Sequence, residues 1–307
     1  MASILNAPHF QNEPAAYAKL ESLVWPDGPV CPHCGSTDRM KLMGGKATRP
    51  GLYKCYSCRQ QSRVTVGTVF EASHVKLHVW LQAAYLMCSS KKGVSSNQLH
   101  RTLGVTLKTA WFMSHRLRAA MDAGTLPPLG GDGVIVEIDE TFIGKKEGVP
   151  VRRGYAHKHA VMSLVQRGEK GATVRSFHVS GTAAADLLPI IKANVTSGTH
   201  VMTDEAGQYA HLNKHFAAHD FTTHSSGEYV RDGYIHTNTV EGYYSVFKRG
   251  MQGIYQHCSE KHLHRYVSEF DFRYNNGIRL GVDDQTRTQN ALRGIVGKRL
   301  LYKEPVG

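Results

Sequence analysis

The sequence contains no apolar run that approaches the roughly 18 residues needed to cross a bilayer. Its first residues also lack the charged segment and apolar core of a secretory signal. Acidic residues are in the minority, since 25 Asp and Glu stand against 37 Lys and Arg, for a formal net charge of +12. We therefore expect no membrane partner. The basic excess is typical of a protein that binds a polyanion, above all nucleic acid, although a merely basic soluble protein has the same balance.

Cysteine is scarce, and its placement excludes a disulfide framework. Four of the six Cys form two CxxC pairs, at 31–34 and 55–58, with 20 residues between the pairs. Each pair is typical of a tight knuckle that directs two thiolates at one point, and two knuckles supply the four-sulfur tetrahedron that Zn²⁺ accepts. The spacing therefore predicts one structural zinc per chain, held by Cys31, Cys34, Cys55 and Cys58. Metal-binding thiolates of this kind indicate a reducing compartment, so we expect a cytoplasmic protein.

Three helices are predicted after the cysteine pairs, at 78–87, 95–103 and 106–121. Ser95 or Ser96 caps the second helix, Gly104 forms the turn and Thr106 caps the third. A helix, a glycine turn and a helix of this length are typical of a helix-turn-helix, although an ordinary helical hairpin has the same pattern. In the third helix, Ala110, Met113, Leu117 and Ala120 form an apolar face. The opposite face would offer Lys108, Thr109, Phe112, His115 and Arg116 to a DNA groove.

A Pro- and Gly-rich stretch at 124–133 predicts a linker into a second region. Beyond it, strands are predicted at 134–138, 158–166, 173–180 and 199–203, with a helix at 182–195 before the last of them. This order predicts an α/β sheet with helices on its faces. The scattered histidines, among them His159 and His236, show no clear ligand spacing.

Carboxylates follow two of the predicted strands and open a later helix. Asp139 ends the first strand, Asp204 ends the last one, and Glu241 lies at the start of the helix. A carboxylate at the end of a buried strand is costly without a partner, and a metal ion is the usual partner for several together. The three acids therefore suggest a two-metal site for work on phosphodiesters.

Glu241 has a second interpretation that needs no catalysis. Asn238 and Glu241 fit a capping box, with Asn238 as the cap and Glu241 three residues later. Asn238 would also suit a metal or substrate contact, so the third ligand position stays open between these two residues. Positive charge surrounds the predicted site and suits a phosphate backbone, although a solvated surface explains it equally well. The basic residues are Lys145, Lys146, Arg152, Arg153, Lys248 and Arg249.

Several motifs together resemble the zinc-ribbon DDE transposases of bacterial insertion sequences, a group related to the Merlin elements. They are CPHC and CYSC, then VEIDETFIGKK, VMTDEAGQY, HTNTVEGYYSVFKRG and SEFDFRYN, in that order along nearly the whole chain. The resemblance implies an RNase H-like catalytic domain, a mixed sheet flanked by helices. It also implies two Mg²⁺ or Mn²⁺ ions and action on terminal inverted repeats. The three family acids correspond to Asp139, Asp204 and Glu241, and the basic residue after the Glu corresponds to Lys248.

This resemblance predicts four regions: a helix and zinc ribbon at 1–70, a helix-turn-helix domain at 71–126, a catalytic domain at 131–290 and a tail at 291–307. The expected partners are double-stranded DNA, as terminal repeats and as target, and further copies of the chain, because two ends must be joined by a dimer or larger assembly. In a bacterial cell the protein would associate with the nucleoid when bound to DNA. Two alternatives stay open: a DNA-binding regulator with an inactive C-terminal domain, and a stand-alone nuclease of the same fold.

Overall fold

The computed structural model describes residues 3–300, and the chain divides into two compact units. One unit is continuous and comprises residues 123–282. The other is formed by the residues that precede it together with those that follow it, from Asp283 onward. In the described part of the chain, no helix is both long and apolar enough to span a membrane.

The discontinuous unit begins with helices α1 (Pro8–Gln11) and α2 (Glu13–Val24). The side chain of Asn12 accepts a hydrogen bond of 3.1 Å from the amide of Ala15 and so caps α2. A small antiparallel sheet follows, in the order β1 (Met40–Leu42), β2 (Tyr53–Cys55) and β3 (Gln61–Ser62). This sheet carries the cysteine pairs.

Three longer helices follow the small sheet: α3 (Leu77–Ser89), α4 (Ser96–Leu103) and α5 (Leu107–Met121). Their limits follow the predicted caps. The Ser95 hydroxyl accepts from the amide of Gln98, and the Thr106 hydroxyl accepts from that of Thr109, each at 3.1 Å. Gly104 ends α4 with a φ of 65°, a left-handed conformation that glycine adopts without a steric penalty. The helix-turn-helix interpretation itself stays a prediction.

The continuous unit is built on a five-stranded mixed sheet. Its strands are β4 (Ile135–Ile143), β5 (His159–Gln166), β6 (Thr173–Val179), β7 (His200–Asp204) and β8 (Ala218–Thr222), and their spatial order is β6-β5-β4-β7-β8. The pairings among β4, β5 and β6 are antiparallel, whereas β7 is parallel to both β4 and β8. The helices are α6 (Ala184–Asn194), α7 (Asn238–Gly250) and α8 (Glu260–Asn275).

Alternation along the strands places a core on each face of this sheet. Val136 and Ile138 of β4 pack with Leu187 and Ile191 of α6 on one face. The other face packs Val161 and Val165 of β5 under α7 and α8. The unit is therefore a mixed sheet flanked by helices, consistent with the RNase H-like domain that the motifs predicted.

The last helix, α9 (Asp284–Arg293), belongs to the discontinuous unit, where it contacts α2, α3 and α5. The Asp283 side chain caps it by accepting a 2.7 Å hydrogen bond from the amide of Thr286. The contacts of α9 thus group it with the helices at the start of the chain, although the motifs assigned it to the 131–290 region. Of the tail predicted at 291–307, residues 301–307 lie outside the described residues.

Candidate zinc ribbon and carboxylate site

The two cysteine knuckles bring their four sulfur atoms together. Cys31 Sγ lies 3.6 Å from Cys58 Sγ, Cys34 Sγ lies 3.7 Å from Cys55 Sγ, and all four sulfurs lie within 4.8 Å of one another. In each knuckle the residue after the second cysteine has a left-handed φ, 74° at Gly35 and 62° at Arg59. The backbone amides of Cys58 and Ser57 donate to the Cys55 sulfur and lower the pKa of this thiol. The cluster thus supports the structural Zn²⁺ that the spacing predicted.

Asp139 lies within β4, on the sheet face covered by α7. Its Oδ1 accepts a 2.7 Å hydrogen bond from the amide of Glu140. Its backbone carbonyl accepts one of 2.5 Å from the Tyr244 hydroxyl of α7. Burial raises the pKa of the Asp139 carboxyl to about 8, with a further contribution from the charge of Asp204 and smaller ones from those of Glu140 and Glu241. Asp139 is therefore a half-buried acid in a surplus of negative charge.

Asp204 ends β7, the strand parallel to β4. The two strands pair from Ile135 with His200 to Glu137 with Met202, and the charge of Asp204 acts on the Asp139 carboxyl and raises its pKa. Asp204 Oδ1 accepts a 3.0 Å hydrogen bond from the amide of Ala206, which orients the half-buried carboxylate at the strand end.

Glu241 lies in the first turn of α7, and its side chain is 43% exposed. The predicted capping box is wrong, because Thr237 precedes the helix and Asn238 is its first residue. The Glu241 amide donates to the Thr237 carbonyl at 3.1 Å, while the Glu241 carboxylate lies 3.6 Å from Nδ1 of His224. The Glu241 side chain is thus available for a role other than capping.

The carboxylate that caps α7 belongs to Glu137, which was not predicted from the sequence as a cap. This fully buried side chain accepts 2.9 Å hydrogen bonds from the amides of Thr239 and Val240, and one of 2.6 Å from the Thr239 hydroxyl. Arg167 Nε donates to the same carboxylate at 2.6 Å, and an Arg167 Nη atom lies 2.8 Å from Nδ1 of His236. The negative charge faces the positive end of the helix dipole and fixes the start of α7, the turn that carries Glu241.

Glu140 is a second acid that the sequence analysis did not single out. It lies beside Asp139 in β4 and accepts hydrogen bonds from the Tyr209 hydroxyl and, at 3.3 Å, from the Gln208 side chain. The pKa of Glu140 is raised to about 7, mainly by burial and also by the nearby charge of Asp204, against the opposing hydrogen bond from the Tyr209 hydroxyl. Glu140 therefore adds negative charge beside Asp139, although alternation along β4 directs its side chain to the other face of the sheet, toward Tyr209.

The chemistry of this donor set fits a hard divalent cation. Carboxylate oxygens are the ligands that Mg²⁺ and Mn²⁺ prefer, and a cation would relieve the repulsion that raises the pKa of Asp139. The carboxylate oxygens of the three predicted acids nonetheless do not all lie within 4.8 Å of one another. Among residues 3–300, only the four cysteines and a separate His–His–Glu group have all their ligand atoms within 4.8 Å of one another.

The basic residues predicted to meet DNA are mostly on the surface. Lys146 is half-buried, and its amide donates to the His157 carbonyl across the β4–β5 loop. Arg249 is exposed, and its Nε donates to the Ser245 carbonyl. The remaining members of the set are exposed: Lys145, Arg152, Arg153 and Lys248.

The prediction that His115 and Arg116 face a DNA groove is wrong. The side chains of both residues are buried, with exposed fractions of 1% and 5%. Arg116 donates to the backbone carbonyls of Glu71 and Leu300, and its guanidinium lies 4.7 Å from the centre of the Phe112 ring. Lys108 is exposed and Thr109 half-exposed, so these two stay candidate DNA contacts. Helix α5 is buried on more of its circumference than its apolar spacing indicated.

The mixed sheet and its helices are typical of an RNase H-like domain. The cluster of four cysteines is typical of a zinc ribbon, which the same chain carries. Residues 128–275 match the ISXO2-like transposase domain, and residues 11–61 match the transposase zinc-ribbon domain. The chain belongs to the zinc-ribbon DDE transposases of insertion sequences, the family that its motifs resembled, and it is therefore a DNA transposase by family.

A curated relative supports the same assignment. The chain is 25% identical over 278 residues to an uncharacterized protein in the transposable element ISH50 of Halobacterium salinarum, a match that covers 86% of this chain and 91% of that protein. A solved structure, the simian T-cell lymphotropic virus intasome in complex with the PP2A regulatory subunit B56 gamma, overlaps 56% of this chain and 63% of its own matched chain. The identity there is 17% and the TM-score 0.27, too low to bear on fold or function.

Proposed function

We propose that the protein binds the terminal inverted repeats of its element and catalyses DNA strand cleavage and strand transfer with two Mg²⁺ or Mn²⁺ ions. The observation that carries this proposal is the electrostatic convergence on Asp139. Asp139 is a half-buried carboxyl of β4 whose pKa is raised first by desolvation and then by the charges of acids from β7 and α7. Such a surplus of negative charge suits divalent cations, and pairs of such ions held by carboxylates are usual in phosphodiester chemistry.

Each residue has a part in this proposal. Asp139, Asp204 and Glu241 would hold the ions, which when bound activate the attacking oxygen and stabilise the leaving oxygen of a phosphodiester. Glu137 keeps the first turn of α7 in place and with it Glu241. Lys248 and Arg249, exposed on the same helix, would hold the DNA backbone by charge. The zinc ribbon and α4–α5 would keep an element end in register, and a dimer or larger assembly would hold two ends.

The test is an assay of the purified protein on DNA that ends in its own element's inverted repeats. In Mg²⁺ the wild type should produce cuts at the ends and joined products in a target, and Asp139→Asn should abolish both while DNA binding persists. Asp232→Asn is the matched control, because it removes an exposed carboxylate in a turn with a φ of 52° that Asn also tolerates. Cleavage without joining would favour the stand-alone nuclease, and undiminished cleavage by Asp139→Asn would exclude the proposed site.

A second prediction concerns DNA binding by α5. Affinity should fall steeply with salt, by about a thousandfold between 50 and 200 mM for roughly six phosphate contacts. Lys108→Ala should reduce the slope of log affinity against log salt by about 0.9, because one phosphate contact is lost. Filter binding on terminal-repeat DNA across salt concentrations measures this slope.

The controls for this prediction separate DNA contact from folding. Lys192→Ala removes one exposed charge from α6 and should leave the slope unchanged. Arg116→Ala should instead lower the stability by about 1–3 kcal/mol, because two partly buried carbonyls lose their donor. An unaltered slope for Lys108→Ala would show that α5 is not the part of the protein that reads DNA.

A further inference from the structure

A group of two histidines and one glutamate lies in the continuous unit, apart from the acids discussed above. His159 begins β5, His178 lies in the neighbouring strand β6, and Glu260 is the first residue of α8. His178 pairs directly with Val161, whose side chain faces the same side of the sheet as that of His159, two residues before it. Both imidazoles therefore face the helical layer to which α8 belongs.

The two imidazoles present unsatisfied nitrogen atoms to one carboxylate. Nδ1 of His159 and Nε2 of His178 are buried and make no hydrogen bond. They lie 3.8 and 3.7 Å from the same Glu260 oxygen, and the three ligand atoms are all within 4.8 Å of one another. A buried polar atom without a partner is uncommon and costs free energy. Two such nitrogen atoms directed at the same carboxylate therefore indicate a site for a ligand.

A histidine–glutamate ion pair is a poor explanation for this geometry. Burial lowers the pKa of His178, and the charges of His159, Lys146 and His264 lower it further, against the opposing effect of Glu260. The lowered pKa favours the neutral form of His178, in which an imidazole nitrogen can offer its lone pair to a metal. A hydrogen bond would also need distances near 3 Å, shorter than the two that are found.

We propose that His159, His178 and Glu260 form a second metal site, for Zn²⁺ or a similar transition-metal ion, distinct from both the ribbon and the carboxylate site. Nitrogen and oxygen ligands at about 2.0–2.2 Å from a tetrahedral zinc are about 3.4 Å apart, so the two His–Glu distances need to contract by only a few tenths of an ångström. The carboxylate is 58% exposed, which gives an ion a route in from solvent. A bound ion would tie the start of α8 to strands β5 and β6.

The test is a calorimetric titration of Zn²⁺ into the full chain, purified with the zinc of its ribbon bound. Elemental analysis before and after the titration measures the zinc content per chain. The wild type should take up one further equivalent, and Glu260→Gln and His178→Gln should lose it or bind it at least about a hundredfold more weakly. Glu260→Gln changes an exposed side chain and is the variant least at risk of misfolding. The midpoint temperature of thermal unfolding should rise with added Zn²⁺ in the wild type and stay constant in Glu260→Gln.

His211→Gln is the matched control, because it removes an exposed histidine of the same unit and should retain the further equivalent. The proposal is overturned if the wild type takes up no zinc beyond that of the ribbon. It is equally overturned if Glu260→Gln and His178→Gln bind the added zinc as tightly as the wild type, or if His211→Gln alone loses it.

Discussion

Glu241→Gln should reduce Mg²⁺-dependent cleavage of the element's ends by about a thousandfold or more, while folding and DNA binding persist. The substitution keeps the shape of the side chain and removes its charge. A thousandfold loss of rate corresponds to several kcal/mol of activation free energy, which we attribute to the lost metal ligand. Because Glu241 does not cap α7, its loss should cost the fold little. Gel assays of cleavage with repeat-ended DNA, beside a thermal unfolding curve, measure the two effects.

Asn238→Ala is the variant that decides which residue takes the third position. Asn238 is exposed at the first position of α7, one turn from Glu241, so its truncation should leave cleavage nearly intact. If Asn238→Ala is inactive and Glu241→Gln active, the third ligand is Asn238. If both cut normally while Asp139→Asn does not, the site depends on the two aspartates without a contribution from α7.

Glu137→Ala should lower the free energy of unfolding by about 3 kcal/mol, near the lower end of what breaking a buried ion pair costs. The lower end applies because the Arg167 side chain is 20% exposed and can rehydrate in part, whereas the amides of Thr239 and Val240 lose their acceptor. Urea unfolding followed by circular dichroism measures the loss.

A local readout distinguishes this capping role from general destabilisation. Hydrogen exchange of a peptide that spans the first turn of α7 should accelerate in the milder variant Glu137→Gln, because the carboxamide has one acceptor oxygen in place of two and lacks the negative charge that faces the helix dipole. Glu241→Gln lies on the same helix and should leave that exchange unchanged. Normal exchange and normal stability in both Glu137 variants would contradict the assignment of Glu137 as the cap.

Local signals in the sequence predicted most of the helices and strands. Ser95 and Thr106 cap α4 and α5 as expected, and β5 lies where a strand was predicted. Strand β4 continues to Ile143, beyond its predicted end at 138, so Asp139 lies within the strand and does not end it as predicted. Strand β8 was missed because Ala218–Thr222 has little apolar character and is mostly half-buried beside β7. Burial around α5 was also underestimated, since Arg116 satisfies its guanidinium with distant carbonyls that no periodicity reveals.

The candidate sites differ in how far the sequence could predict them. The cysteine cluster follows from local spacing, because each knuckle is a short closed loop. Glu137 and Asp139 lie on the same face of one strand. Only the tertiary structure shows that Glu137 caps α7, whereas the Asp139 carboxyl is subject to the charge of Asp204. His159, His178 and Glu260 come from three separate elements, so no spacing rule would bring them together.

The discontinuity of the helical unit has a consequence for synthesis on the ribosome. The sheet unit is one continuous segment, 123–282, and all its strands have been translated before α9 appears. The unit that carries the ribbon needs α9 against α3 and must wait for the last part of the chain. Because domains fold as units during translation, the segment with the carboxylate site should be complete first. A ribosome that pauses once residue 282 has left its exit tunnel would present a folded sheet unit, while the helical unit still lacks its final helix.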